Sequence, residues 1–126
     1  MDQLPTIAKQ GLNAFNSHDF YEAHEFFEKA WRETPDDTRE LYRGLLHLSG
    51  GCFRLTQDRP EAARKFFTRA LHWITPFPEE FLGIDTGQIT RGTINLLTSI
   101  DQNNDSQKIL EHNLFSIQYA SNEEEL

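Results

Sequence analysis

Cysteine is nearly absent from this sequence of 126 residues, which contains one, Cys52. A lone cysteine excludes an internal disulfide and any metal centre built from several thiolates. Basic residues are also few, because 12 Lys and Arg stand against 20 Asp and Glu and give a formal net charge of −8. This balance argues against non-specific binding to nucleic acid and against docking on an anionic membrane.

Long apolar runs and several common catalytic motifs are missing as well. No stretch approaches the roughly 18 apolar residues of a membrane span, and the opening MDQLPTIAKQ lacks the basic start and apolar run of a secretory signal. The patterns GxxxxGK[ST], GxGxxG and GxSxG do not occur in the sequence. The sequence therefore gives no support for a nucleotide-binding loop or for a serine hydrolase. We therefore expect a soluble, cytoplasmic protein that binds neither a membrane nor nucleic acid.

Helical periodicity dominates what is present. Hydrophobic residues make up 37% of the chain and aromatic residues 12%, which is enough to build a core. Apolar residues recur at spacings of three and four along most of the sequence, the pattern of amphipathic helices. The sequence predicts an all-α fold, a compact bundle of about five helices built from two helical hairpins. Residues 1–120 would form a single domain and residues 121–126 an acidic C-terminal tail.

Turn-prone residues and prolines place the boundaries of the first three helices. The first ends before residues 16–19, and the second runs to about Thr34, with Asp19 capping its first turn through its carboxylate. Asp36 and Asp37 open the third helix, where negative charge suits the positive end of the helix dipole. The third helix has the widest apolar surface and should therefore be central, covered on two sides.

The remaining boundaries follow from the same signals. Asp58-Arg59-Pro60 starts the fourth helix, an extended loop covers residues 76–83, and Asp85 caps the fifth helix. Residues 101–106 form a polar loop. Residues 109–119 fit a short helix and an alternating strand equally well, and the pattern does not choose between them.

A weak internal repeat relates the two predicted hairpins. Ala23, Phe27 and Ala30 recur forty residues later as Ala63, Phe67 and Ala70. This small–large–small spacing lets paired helices pack closely, as in tetratricopeptide hairpins. Two copies fall short of the three or more that a solenoid needs, so we expect a compact bundle rather than an extended array.

The second helix carries the residues that could perform chemistry, in an HExxE pattern. His24 lies at the edge of the apolar stripe, and Glu28 lies next to it one turn later. Glu25 lies further round the same flank. We expect these polar groups to lie where the buried face meets water, partly removed from solvent.

Three interpretations of this cluster remain open. In the first, Glu28 hydrogen-bonds His24 and the pair joins the second helix to the third. In the second, His24 and Glu28 are two ligands of a divalent metal, with Glu25 as an outer partner or base and His47 as the nearest third ligand. In the third, His24 and Glu28 form an acid–base dyad near neutral pH.

The third helix adds a polar stripe of Arg43, His47 and Arg54. If this stripe faces the second helix, Arg43 could pair with Glu28, which favours an ion network or an anion pocket over a cation site. If it faces water, it is an ordinary solvated surface. The segment from Arg54 to Arg69 contains five basic and two acidic residues. This local excess of positive charge could bind an acidic partner.

Four further segments are specific enough to compare with known families: the FYEAHExxExxW pattern at residues 20–31, LYRGLL at 41–46, DRP at 58–60 and LGID at 82–85. In these segments the sequence resembles the domain-of-unknown-function family 309. The resemblance covers about residues 12–97 and implies a small all-helical bundle in a cytoplasmic protein with no established biochemical activity. By position it assigns the polar signature to His24, Glu25, Glu28 and Trp31, and a packing role to Gly44.

Together these observations predict a binding or interaction module with a His/Glu polar pocket between the second and third helices. The candidate pocket residues share polar or amphipathic side chains along those two helices: His24, Glu25, Glu28, Trp31, Arg43 and His47. The alternative is a metal-assisted hydrolase with His24 and Glu28 as metal ligands. The partner could be a protein or a small molecule, and the aromatic content leaves room for a homodimer interface.

Overall fold

The computed structural model describes residues 4–103 and 105–120. Within these ranges the chain forms six helices and one short hairpin of two strands: α1 (Thr6–Asn16), α2 (Phe20–Glu33), α3 (Arg39–Thr56), α4 (Pro60–Ile74), β1 (Glu80–Phe81), β2 (Ile84–Asp85), α5 (Thr86–Asn103) and α6 (Ser106–Asn113). The fold is all-α, as the periodicity predicts, and it has one helix more than expected. No helix in these ranges combines the length and the apolar character needed to cross a membrane.

Helix α3 lies at the centre of the bundle. It packs against α2 on one side and α4 on the other, and it also contacts α6. Its buried residues come from most of its circumference and include Leu41, Tyr42, Leu48, Cys52 and Leu55. The wide apolar stripe of α3 has to be covered on two sides to be removed from water, and α2 and α4 cover it. The predicted central position is therefore confirmed.

The forty-residue repeat is present in the three-dimensional structure. Helices α1 and α3 end in the same way, with His18 (φ 64°) and Asp58 (φ 57°) in the left-handed conformation. After each of them, a backbone N–H donates to the carbonyl five residues earlier: Asp19 to Ala14 and Arg59 to Arg54, both at 2.9 Å. This is the Schellman arrangement of helix ends, and it gives the α1–α2 and α3–α4 connections the same geometry.

The two hairpins also pack through equivalent contacts. Phe27 of α2 lies against Gly11 of α1, where a Cβ would lie 2.7 Å from the ring, and Phe67 of α4 lies against Gly51 of α3 in the same way. Both rings are fully buried. Glycine is needed at these two sites because a side chain would overlap the ring.

Two features predicted at helix starts differ from the structure. Helix α2 begins directly after Asp19, as expected, but the Asp19 side chain makes no capping hydrogen bond to it. Helix α3 begins at Arg39 rather than at Asp36, because the Asp36 carboxylate accepts a hydrogen bond from the Thr38 N–H (2.9 Å) and closes a separate turn before the helix. The predicted cap of the fifth helix is confirmed, since the Asp85 carboxylate accepts from the Gln88 N–H at 3.0 Å.

Of the two structures that fit residues 109–119, the helix is present up to Asn113 and no regular strand follows it. Residues 114–120 form an extended segment that makes one isolated antiparallel bridge, between Tyr119 and Ile84. The Asn16 side chain binds this segment twice, donating to the Ile117 carbonyl (3.0 Å) and accepting from the Ile117 N–H (2.7 Å). The predicted loop at 101–106 is shorter than expected because α5 continues to Asn103. The predicted tail, residues 121–126, lies outside the described residues.

Candidate functional site

One surface of the bundle combines arginine, histidine and aromatic side chains from α2, α3 and α4. We call it the basic–aromatic face and define it by these residues: Tyr21, His24, Trp31, Arg39, Arg43, His47, Arg54, Phe66, Arg69 and Trp73. Helix α3 supplies its centre, with the α2 and α4 residues on either side. The positions on α3 recur at helical spacing, which brings them to one side of the helix.

Arg43 lies between two tryptophans. Its guanidinium carbon is 4.0 Å from the centre of the Trp73 ring and 5.4 Å from that of Trp31. Arg39, one turn earlier, lies 5.2 Å from the same Trp31 ring. The carboxylate paired with Arg43 belongs to Glu40, with Nη1 and Oε2 3.7 Å apart. The predicted pairing of Arg43 with Glu28 is therefore wrong.

His24 and Glu28 take different partners. His24 Nδ1 lies 3.5 Å from Oε2 of Glu25, and the imidazole stacks on the Tyr21 ring. Glu28 Oε2 accepts a hydrogen bond from Arg32 Nη2 at 3.3 Å. An ion pair along a helix is more favourable when the glutamate precedes the arginine by one turn, because this order also agrees with the helix dipole. The Glu28 side chain accordingly pairs with Arg32. The two side chains do not form the pair that the sequence suggested.

His47 lies among cations and has an uncommitted ring nitrogen. Burial, together with the nearby charges of Arg69, Arg43 and His24, lowers its pKa from the ordinary 6.5 to about 4. Its Nδ1 is buried and finds no hydrogen-bond partner in the described part of the chain, and the same holds for Trp31 Nε1. At neutral pH His47 is uncharged, and its surroundings suit a negative charge.

A pocket of about 90 Å³ opens at one end of the face. Its lining comes from three helices: Tyr21, His24, Gly50, Phe53, Arg54 and Phe66. The guanidinium carbon of Arg54 is 5.6 Å from the centre of the Phe66 ring and 5.9 Å from that of Phe53, so this charge is held at an aromatic wall. Among the residues predicted to form a polar pocket between the second and third helices, His24 lines this pocket and the other five do not.

The pocket residues predicted from the sequence include none from α4. In the structure, Phe66 of α4 lines the pocket and Trp73 of α4 contacts Arg43. One signal was available: Phe66, Arg69 and Trp73 recur at spacings of three and four and form one stripe along α4. Knowing that this stripe faces the arginines of α3 requires the packing of the two helices.

Metal ligands and nucleophiles do not cluster in the residues that the structure describes. No group of three or more His, Cys, Asp or Glu side chains there is arranged to hold an ion. Cys52 is fully buried, and burial raises the pKa of its thiol, which disfavours the reactive thiolate. This agrees with a packing role for Cys52.

The family match covers much of this site. The model of a family described as "Domain of unknown function (DUF309)" matches residues 8–66. Over this segment the chain is similar to the DUF309 family. The matched residues include α1, α2, α3 and the first half of α4, so His24, Arg43 and His47 fall within the DUF309 segment, whereas Arg69 and Trp73 follow it.

A curated relative extends the match along the chain. An uncharacterized protein of Aquifex aeolicus (strain VF5) is 30% identical to this chain over 84 residues, which are 66% of this chain and 25% of the relative. The chain thus spans about a quarter of the length of the relative that it matches. The description of this relative states no activity.

Proposed function

We propose that this protein is a non-catalytic binding module whose basic–aromatic face takes an acidic segment of a partner protein. The observation that carries the proposal is the position of Arg43 between Trp31 and Trp73. Contact with ring faces leaves the N–H edge of a guanidinium pointing away from the rings, and Arg43 has further N–H donors besides the Nη1 that lies near Glu40. A guanidinium fixed in this way loses less conformational freedom when it binds, which favours recognition of a planar anion.

The charge distribution supports an acidic partner. Helix α3 carries three arginines and one glutamate, and α4 carries two arginines, one lysine and one glutamate. The chain as a whole has a formal charge of −8, so the positive charge of these two helices is local. A short acidic segment can use such a surface. A long nucleic-acid backbone would also meet the acidic remainder of the molecule, which repels it.

The alternative is a metal-assisted hydrolase in which His24 and Glu28 bind the ion. It requires both side chains to leave their present partners, Glu25 and Arg32. His47, the third ligand that this alternative needs, lies near Arg43 and Arg69, whose charges repel a cation as they repel the proton on its ring. These electrostatics favour the binding module.

Fluorescence anisotropy with a labelled peptide of about twelve glutamates tests the proposal. We expect the protein to bind this peptide at low ionic strength and Arg43→Gln to weaken binding about tenfold, because one charge-assisted hydrogen bond is lost. Arg91→Gln is the matched control: Arg91 lies on α5, where it pairs with Glu79, and should not affect binding. A labelled oligothymidylate of similar length should not bind.

Two results would overturn the proposal. One is equal affinity of the Arg43→Gln and Arg91→Gln proteins for the glutamate peptide. The other is tighter binding of the oligothymidylate than of the peptide, which would assign the face to single-stranded nucleic acid. Circular dichroism of each variant shows whether the fold is kept.

A further inference from the structure

We infer that the acidic segment inserts one leucine-sized aliphatic side chain into the pocket between Tyr21 and Phe66. This inference rests on the proposed function and specifies the partner: an acidic sequence interrupted by one aliphatic residue.

The pocket has the shape and chemistry to hold an apolar side chain. Tyr21 forms its outer wall, since 55% of this residue is exposed while its ring lies 5.5 Å from that of Phe53. Gly50 opens the floor, because a Cβ there would lie 3.1 Å from the Phe66 ring. An exposed tyrosine beside an aromatic wall loses water contacts when an apolar group enters, and this favours binding.

The size of the pocket selects the kind of side chain. Its volume of about 90 Å³ is smaller than the roughly 150 Å³ of a cavity that holds benzene. A branched aliphatic group fits this space better than an aromatic ring does. We therefore expect leucine or isoleucine rather than phenylalanine or tryptophan at this position of the partner.

The flanking arginines set the order of residues in the partner. Arg43 precedes Gly50 by seven positions on α3, which corresponds to about 10 Å along the helix. Arg54 lies at the pocket itself. A segment that crosses the face can place one carboxylate at Arg43 and another at Arg54, with its aliphatic side chain in the pocket beside Arg54. We therefore expect acidic residues on both sides of the aliphatic residue in the partner.

Two labelled peptides test the inference, each with about eleven glutamates and one central residue, leucine or alanine. We expect the leucine peptide to bind the protein about tenfold more tightly than the alanine peptide, the gain from burying most of one aliphatic side chain. Tyr21→Ala should abolish this difference, so that the variant binds the leucine and alanine peptides with equal affinity. Ile94→Ala, which removes an exposed apolar side chain from α5, is the matched control and should keep the difference.

Gly50→Ala provides a second variant that acts on the floor of the pocket rather than on its wall. The added methyl group should reduce the advantage of the leucine peptide at least threefold. Because Gly50 and Tyr21 contribute different parts of the pocket, agreement between the two variants argues against an effect peculiar to the tyrosine.

The outcomes separate this inference from the proposed function. If the alanine peptide does not bind to the unmodified protein, the proposed function fails. If the alanine peptide binds and leucine adds nothing, or if leucine adds equally in Tyr21→Ala, the inference fails and the proposed function stands. A phenylalanine peptide that binds more tightly than the leucine peptide also contradicts the inference.

Discussion

The guanidinium carbon of Arg43 lies 4.0 Å from the centre of the Trp73 ring, which joins α3 to α4 at the surface of the bundle. These residues are thirty positions apart in the sequence. The contact holds the Arg43 guanidinium at one position on the surface, which the sequence alone could not assign. It also brings the α4 stripe into the candidate site, beside the α2 residues that the sequence identified.

We predict that Arg43→Lys lowers the free energy of unfolding by about 0.5–1 kcal/mol, because an ammonium keeps the charge and loses the planar stacking on Trp73. Urea denaturation measures the change. Arg91→Lys on α5 is the control and should be neutral within about 0.5 kcal/mol, as expected for an exposed pair. Equal stability of the two variants would show that the stacking contributes nothing.

We predict opposite outcomes for two glycines of α3. A Cβ on Gly44 would overlap Cγ1 of Ile74 and lie 3.3 Å from the Ala70 carbonyl oxygen. Gly44→Ala should therefore cost about 1–3 kcal/mol despite its better helix propensity. Gly50→Ala meets the half-buried Phe66 ring, which has room to shift, so its gain of about 1 kcal/mol in propensity should offset the strain. Thermal unfolding of both variants checks this, and a destabilised Gly50→Ala with an unaffected Gly44→Ala would contradict it.

We predict that stability falls when the pH is lowered from 6.5 to about 4, in part because of His47. Its pKa is near 4 in the folded protein and near 6.5 in the unfolded chain, so the unfolded chain binds more protons in this window and stability rises with pH. The effect of this group should be on the order of 1 kcal/mol after screening by solvent. Urea denaturation across this range should show a shallower pH dependence in His47→Gln.

His72→Gln provides the control for the pH experiment. His72 is exposed on α4, and its replacement should leave the slope unchanged. The prediction is contradicted if His47→Gln and the unmodified protein lose stability in parallel between pH 6.5 and 4.

We predict that Asn16→Ala releases the extended segment at Ile117. The substitution removes a donor and an acceptor that bind the Ile117 backbone, and losing both bonds should cost about 1–3 kcal/mol. Hydrogen exchange should show loss of protection at the Ile117 amide. Gln88→Ala removes the similar but more exposed bonds to Ser116 and Gln118 and should cost less. Unchanged protection at Ile117 in Asn16→Ala would rule out this anchoring role.

We predict no stoichiometric zinc binding by His24 and Glu28. The ion would have to compete with Arg32 for Glu28. Its positive charge would also be repelled by the charges of the nearby arginines. Isothermal titration with zinc, compared between the unmodified protein and His24→Ala, tests this. Binding of one zinc per chain that both His24→Ala and Glu28→Gln abolish would support the hydrolase alternative instead.

The partners of polar side chains were predicted less well than the helices. His24 and Arg32 both lie one turn from Glu28, so helical spacing permits either pairing. Glu28 pairs with Arg32, while His24 contacts Glu25 and Tyr21 instead. A choice between two partners at equal spacing depends on side-chain rotation and on the neighbouring helix, which one helix cannot specify.

The sequence by itself determined the all-α fold, the central position of α3 and the forty-residue repeat, because helical periodicity and small–large–small spacing are local properties of the chain. It also predicted His24 and Glu28 at the margin of the buried face, and it left open whether the stripe with Arg43 and His47 faces the second helix or water. The tertiary structure decided that Arg43 stacks on Trp73, that Phe66 walls a pocket with Tyr21, and that Asn16 holds Ile117. These contacts join residues on different elements, and they exist only once the packing of the apolar faces has fixed how each helix is rotated against its neighbours.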